Sequence, residues 1–168
     1  SINGGSDSAT TSDNRFFSTH NSKSIDTRFI QGYIANKSDK EKLGIFNVAE
    51  NPSTGANTLS SRIEGTGKHV QTSNPINELQ LFNDEAGSFD TGGELVVLGY
   101  DPDDTHTDNF WEELANVELS SSADFFSSGT ITAKKYLWVQ AYVKQASPYS
   151  TGLQFNSDEA NNYAVRFS

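Results

Sequence analysis

Apolar and polar positions alternate along much of this chain in short stretches, each closed by a cluster of Gly, Pro, Asn, Asp or Ser. In Tyr136–Lys144 (YLWVQAYVK), Leu137, Val139, Ala141 and Val143 share one face, and Tyr136, Trp138, Gln140 and Tyr142 share the other. A period of two is the signature of a β-strand. The stretch 27–37 (TRFIQGYIANK) is partly apolar on both faces, with Phe29 and Tyr33 on one and Ile30 and Ile34 on the other. That suits a sandwich interior or a buried interface. Glu94–Tyr100 (ELVVLGY) is a continuous apolar run and predicts a central strand covered on both faces. Further strands are predicted at 42–50, 75–83, 117–119, 130–134, 152–156 and 162–167, with two short ones at 60–64 and 68–72 around Gly65-Thr66-Gly67. One helical turn is predicted at 110–115, with Asn109 as N-cap and Glu112 and Glu113 favourable near the helix dipole. About nine or ten short strands and at most one short helix predict an all-β fold, a β-sandwich of jelly-roll-like kind.

The two ends read as halves of one strand-turn unit. Tyr163, Val165 and Phe167 alternate with Ala164, Arg166 and Ser168, and no turn follows. The chain opens with Ser1-Ile2-Asn3-Gly4-Gly5-Ser6-Asp7, a turn whose glycines tolerate positive φ. Joining the ends gives a strand followed by a turn. This is expected of a repeat cut from a tandem array, of a circularly permuted domain, or of a subunit completed by its neighbour. An ordinary domain with adjacent surface termini is the alternative. Under the first three readings Tyr163, Val165 and Phe167 mark an assembly strand, because an unpaired strand edge templates another chain's backbone.

Composition narrows the function classes. The chain has 168 residues, enough for one domain with a real core. Its 22 acidic against 12 basic residues give a net charge of −10. That charge repels a phosphate backbone and an anionic membrane surface, so neither nucleic acid nor membrane insertion is expected. No stretch approaches the ~20 apolar residues of a membrane helix. The chain contains no Cys, which removes disulfides, thiol nucleophiles and cysteine metal sites. It also contains no Met, so Ser1 reads as the product of processing or excision. An extracellular or virion-surface location is expected.

Several segments resemble a β-sandwich domain of tailed-phage structural proteins, of the fibre and head-decoration type. They are 133–143 (AKKYLWVQAYV), 153–167 (LQFNSDEANNYAVRF) running into Asn3-Gly4-Gly5, and 75–100 (PINELQLFNDEAGSFDTGGELVVLGY). In that family the KKYLWV-like strand comes early and the strand running into Gly-Tyr closes the domain. Here the closing strand at 94–100 precedes the opening strand at 136–144, so the order is rotated. The resemblance implies a virion or filament structural protein. It divides the chain into the main part of a sandwich (1–100), an acidic linker or copy boundary (101–109), and strands of the same sandwich or of an adjoining copy (110–168).

Candidate chemistry is sparse. Asp101, Asp103 and Asp104 form the densest carboxylate cluster, which reads either as calcium ligands or as a solvated linker; the spacing of an EF-hand loop is absent. Asn156, Asp158 and Glu159 read as an Asx-stabilised turn. Tyr136, Trp138 and Tyr142 share a strand face that would either stack on sugar rings or be buried in the sandwich or a subunit contact, and burial is favoured for large aromatics. Trp111 and Tyr149 are the better candidates for exposed contacts to a glycan or partner. His20, His69 and His106 stand apart, with no zinc spacing. There is no Gly-x-Ser-x-Gly elbow and no phosphate-cradling loop. Asn36-Lys37-Ser38 fits a glycosylation sequon. The chain is expected to be a non-enzymatic structural subunit without cofactors that assembles with copies of itself, other virion proteins or surface glycans. A carbohydrate-binding module of a fibre or adhesin is the alternative.

Overall fold

The computed structural model describes residues 8–13, 15–18, 27–51, 60–83, 87–104, 111–144 and 151–167. Twelve strands appear among them: β1 (Ser8–Asp13), β2 (Phe17–Ser18), β3 (Thr27–Ala35), β4 (Lys42–Asn51), β5 (Ser61–His69), β6 (Leu79–Asn83), β7 (Glu94–Tyr100), β8 (Glu112–Glu118), β9 (Phe125–Ser127), β10 (Tyr136–Lys144), β11 (Thr151–Phe155) and β12 (Tyr163–Phe167). The large sheet runs β1-β12-β5-β4-β3-β10-β7-β8 and the small one β2-β11-β6-β9. Every strand pair is antiparallel.

The period-two pattern explains the core. Ile30, Ile34, Phe46, Val48, Leu137, Val139, Val143, Leu95 and Val97 turn inward from the large sheet, and Leu79, Leu81, Phe126, Leu153 and Phe155 meet them from the small one. Burying such a side chain is worth about 1.5–3 kcal/mol. The molecule is an all-β sandwich; the narrower jelly-roll description is not established by the eight-plus-four division of its strands. Strands from 110–168 lie in both sheets beside strands from 1–100.

Four local expectations are corrected. The helical turn at 110–115 is not formed: Trp111 precedes β8, which forms a hairpin with β7; Ala115 and Val117 pack toward the core opposite Val97 and Leu95, and a register shift at Val97/Leu98 leaves Leu114 as an extra residue that packs there too. Backbone pairing along a neighbouring strand outweighs a local capping signal. Residues 61–69 form one continuous strand, because Gly65 and Gly67 pair in register with Phe46 and Gly44 instead of making a turn. Residues 131–134 are irregular, and Ile131 is fixed by its N–H to the Asn77 carbonyl at 2.7 Å. Finally, β7 is covered on one face only, with Val96, Leu98 and Tyr100 half-buried on the other.

The C-terminal strand does not lack a partner. β12 lies between β1 and β5, with Thr10 opposite Val165 on one side and Gly67 opposite Val165 on the other. Tyr163 and Val165 are buried, and the side chain of Phe167 lies outside the described residues. A strand flanked on both sides has no free backbone edge to offer a neighbour, so the assembly-strand expectation finds no such edge here.

Candidate functional site

The outer face of the large sheet carries the feature that most needs explaining. The residues that alternate with the core on β7, β10, β3 and β4 are largely apolar, and their registers align them in rows. Leu98, Trp138, Tyr33 and Ile45 form one row, and Tyr100, Tyr136, Ala35 and Leu43 the next. Tyr33 stacks on Trp138 with ring centroids 5.5 Å apart and 15° between planes. Tyr100 stacks on Tyr136 at 6.3 Å, and Trp111 meets Trp138 edge-on at 5.9 Å. Tyr33, Leu43, Ile45, Tyr100, Trp111 and Tyr136 line a concavity of 480 Å³. Leu43 and Ile45 are 56% and 53% exposed, so this is a surface and not an interior.

A row of three amides, Gln140–Gln31–Asn47, with Val96 at its β7 end, separates these residues from Tyr142 and Phe29, which are also exposed. Acidic residues border one side of the face. Glu94 pairs in register with Glu118, and Leu98 with Glu113. On the opposite side β5 brings Arg62 and Lys68 beside Ala49 and Leu43.

Of the aromatics singled out in the sequence, Tyr136, Trp138 and Tyr142 lie on this outer face, and Trp111 joins them from the start of β8. Tyr149 lies outside the described residues. Leu43 and Ile45 were missed, since a strand apolar on one side and half-apolar on the other gives no sign of which side faces water. Exposed Leu and Ile beside paired aromatics are the available signal.

The acidic tract turns onto two lysines. Lys135 binds Asp101 at 3.1 Å and also Asp103, and Lys134 binds Asp104 at 2.5 Å and Glu112 at 2.8 Å. Hydrogen bonds to these carboxylates push both lysines above their ordinary value. The Asp103 N–H, donated to Asp101 at 3.0 Å, and the nearby Lys135 hold Asp101 below the usual carboxylate value. The space a cation would take among Asp101, Asp103 and Asp104 is held by ammonium groups. Among the described residues no three His, Cys, Asp or Glu side chains converge as metal ligands.

Two buried polar clusters are structural. Arg28 is fully buried; its Nε donates to Glu50 at 2.9 Å and its Nη1 to Thr151 at 2.8 Å. His69 stacks on Tyr163 at 4.7 Å, and its Nε2 lies 2.8 Å from Asp158. Burial acts to raise Asp158, but hydrogen bonds from Asn162 and His69 outweigh it and hold the carboxyl below its usual value. The Tyr163 hydroxyl donates to the Asp158 carbonyl and accepts from the Phe155 N–H, and burial pushes its pKa up. Lys42, next to His69 in register, gives its ammonium to the carbonyls of Lys40 and Gln71, and burial lowers its pKa.

Of the Asx turn expected at Asn156, Asp158 and Glu159, the local bond is made by Asp158. The Asp158 carboxylate accepts the Ala160 N–H, and the Asn156 side chain accepts the N–H groups of Asn77 and Glu78. Asn36, in the sequon, is buried; its amide donates to the Ile76 and Lys134 carbonyls and accepts the Ile76 N–H. That side chain is a bridge between loops, not an accessible acceptor of sugar. His20 and His106 lie outside the described residues. No protein family, curated protein or solved structure matches the chain.

Proposed function

We propose that this chain is a non-enzymatic structural subunit that packs against protein neighbours through the outer face of its large sheet, in a phage-type virion (as decoration or fibre) or an extracellular filament. One observation carries the reading. Leu43 and Ile45, each more than half exposed, extend a surface of paired aromatics with few hydrogen-bonding groups. Contiguous apolar patches above a few hundred Å² mark interaction sites in soluble proteins. A largely apolar lining suits another protein better than a sugar, whose hydroxyls need partners. The resemblance of 75–100, 133–143 and 153–167 to tailed-phage domains supports the virion setting. Assembly then proceeds by burial of a sheet face, with the chain's own β1 completing β12.

Negative-stain electron microscopy of native material tests it. Arrays or particles built from 18.3 kDa subunits are expected, and these should be lost on Ile45→Lys. Discrete single molecules in native material would overturn it.

A second reading has its own support. The amides of Gln140, Gln31 and Asn47 lie between the Tyr33–Trp138 row and the exposed Tyr142–Phe29 row. Stacking surfaces beside amide donors suit a glycan. Glycan binding that is lost on Tyr142→Ala and kept on Ile45→Lys would favour this reading over the first.

A further inference from the structure

The apolar face is bordered by opposite charges on its two sides, and this selects an occupant. Six strands contribute to it, in the order β8-β7-β10-β3-β4-β5. At ~4.8 Å between strands and ~3.3 Å per residue, the face covers roughly 700 Å², close to the ~800 Å² per partner of a stable interface. Glu94, Glu113 and Glu118 lie along the β7–β8 side and have no ion-pair partner among the described residues. Arg62 and Lys68 lie along the β5 side and, among the described residues, pair with the exposed carboxylates of Glu64 and Glu41. Such surface pairs are worth about 0–1 kcal/mol and exchange readily.

We infer that the occupant is a second copy of this chain, packed face to face about a two-fold axis that runs along the strand direction between β10 and β3. This rests on the assembly reading above and names its partner. A rotation about that axis reverses the lateral order of strands and keeps each row at its own height. The β5 side of one copy then covers the β8 side of the other. Arg62 comes over Glu118, and Lys68, in the row of Leu43 and Tyr100, comes one row (~7 Å) from Glu113, a step that its long side chain spans. In the same operation Ala35 covers Tyr136, Leu43 covers Tyr100, Ile45 covers Leu98 and Tyr33 covers Trp138, so apolar side chains meet apolar ones. The polar row covers itself, Gln31 over Gln140. The other in-plane axis, across the strands, would set the β8 carboxylates of the two copies against each other, and like charges at an interface oppose association. The two-fold contact is self-complementary, as an isologous pair requires.

Sedimentation equilibrium on the whole chain tests this at one fixed ionic strength. Two charge-reversed variants are used: Arg62→Glu with Lys68→Glu, and Glu113→Lys with Glu118→Lys. All these positions are at the surface, and unchanged melting confirms the fold. The wild type should form a dimer. Each variant alone should dissociate at least about tenfold more readily, and a one-to-one mixture should recover the pair, because each reversed side then meets its complement. A monomeric wild type, variants that pair as the wild type does, or a mixture that stays apart would each overturn the proposal. Hydroxyl-radical labelling of native material separates the two levels. Protection of Leu43 and Ile45 there, with a monomeric chain in solution, overturns self-pairing and leaves the assembly reading standing; no protection in either overturns both.

Discussion

Gly67 lies directly under Phe16: a Cβ on Gly67 would stand 2.4 Å from the Phe16 carbonyl oxygen and 2.9 Å from its ring. Gly44, paired with Gly67 across β4 and β5, would bring a Cβ within 2.6 Å of the same ring. The two glycines form a slot in the large sheet that seats Phe16, whose N–H also binds the Leu153 carbonyl of the small sheet at 2.7 Å. Gly67→Ala is expected to destabilise by about 1–3 kcal/mol and Phe16→Ala by about 3–5 kcal/mol, read from urea midpoints. Phe16→Leu should not rescue Gly67→Ala, because the clashing carbonyl belongs to the backbone. A rescued double variant would show that the ring alone sets the slot.

Breaking the buried Arg28–Glu50 pair from one side leaves an uncompensated charge. Glu50→Ala is expected to cost about 3–5 kcal/mol, whereas Arg28→Met combined with Glu50→Leu should cost less. Thermal unfolding of the three chains checks the order. A single variant milder than the double one would mean that the charges are not buried in solution.

Asp158 makes acid stability specific. Its folded carboxyl titrates below the ordinary value of 3.8, so the unfolded chain binds more protons as the pH falls. The stabilisation is complete above that value and is lost as the pH drops through the folded one. Asp158→Asn should flatten this acid limb in urea midpoints taken from neutral to acid pH. An unchanged limb would assign acid unfolding to other carboxylates.

Ile45→Lys separates assembly from folding. An exposed position should change stability by no more than about 0.5 kcal/mol. Self-association should nonetheless be lost, and with it a shift in tryptophan emission from Trp111 and Trp138 that accompanies covering of the face. A strongly destabilised variant would place Ile45 in the core and remove the surface from consideration.

Calcium gives a further check. Lys134 and Lys135 already satisfy Asp101, Asp103 and Asp104, so added calcium is expected to leave the melting temperature unchanged. A calcium-dependent rise would show that the ion displaces the lysines.

The sequence made β10 and β12 legible because strict alternation marks a half-buried strand whatever it pairs with, and β3, β4 and β7 because short apolar stretches closed by turn residues mark a strand even where they misstate which faces are covered. It hid β8, since Asn109 and two glutamates imitate a helix start and the competing partner, β7, is settled only in the fold. It also hid the purpose of Gly65 and Gly67. Glycines in a loop and glycines in a strand read alike until Gly65 is paired with Phe46 and Phe16 is placed over Gly67. The site was half visible. The alternation put Tyr136, Trp138 and Tyr142 on one face, but whether that face met the core or water depended on where the second sheet lay. Only four strands cover the large sheet, and they cover its other side.

Strand β10 joins two ribbons that need nothing from it. β3, β4 and β5 form a meander through near neighbours in sequence, and β7 and β8 form a hairpin. β10 alone lies between them, pairing Val139 with Gly32 on one side and Val97 on the other. Closing the gap to β3 spans about a hundred residues of chain, and such long-range closure is slow compared with hairpin formation. The six strands from β5 to β8 are therefore expected to form as two local pieces that wait for β10. Substitutions in β10 should slow the rate of folding, while those in the β4–β5 ribbon should act mainly on the rate of unfolding.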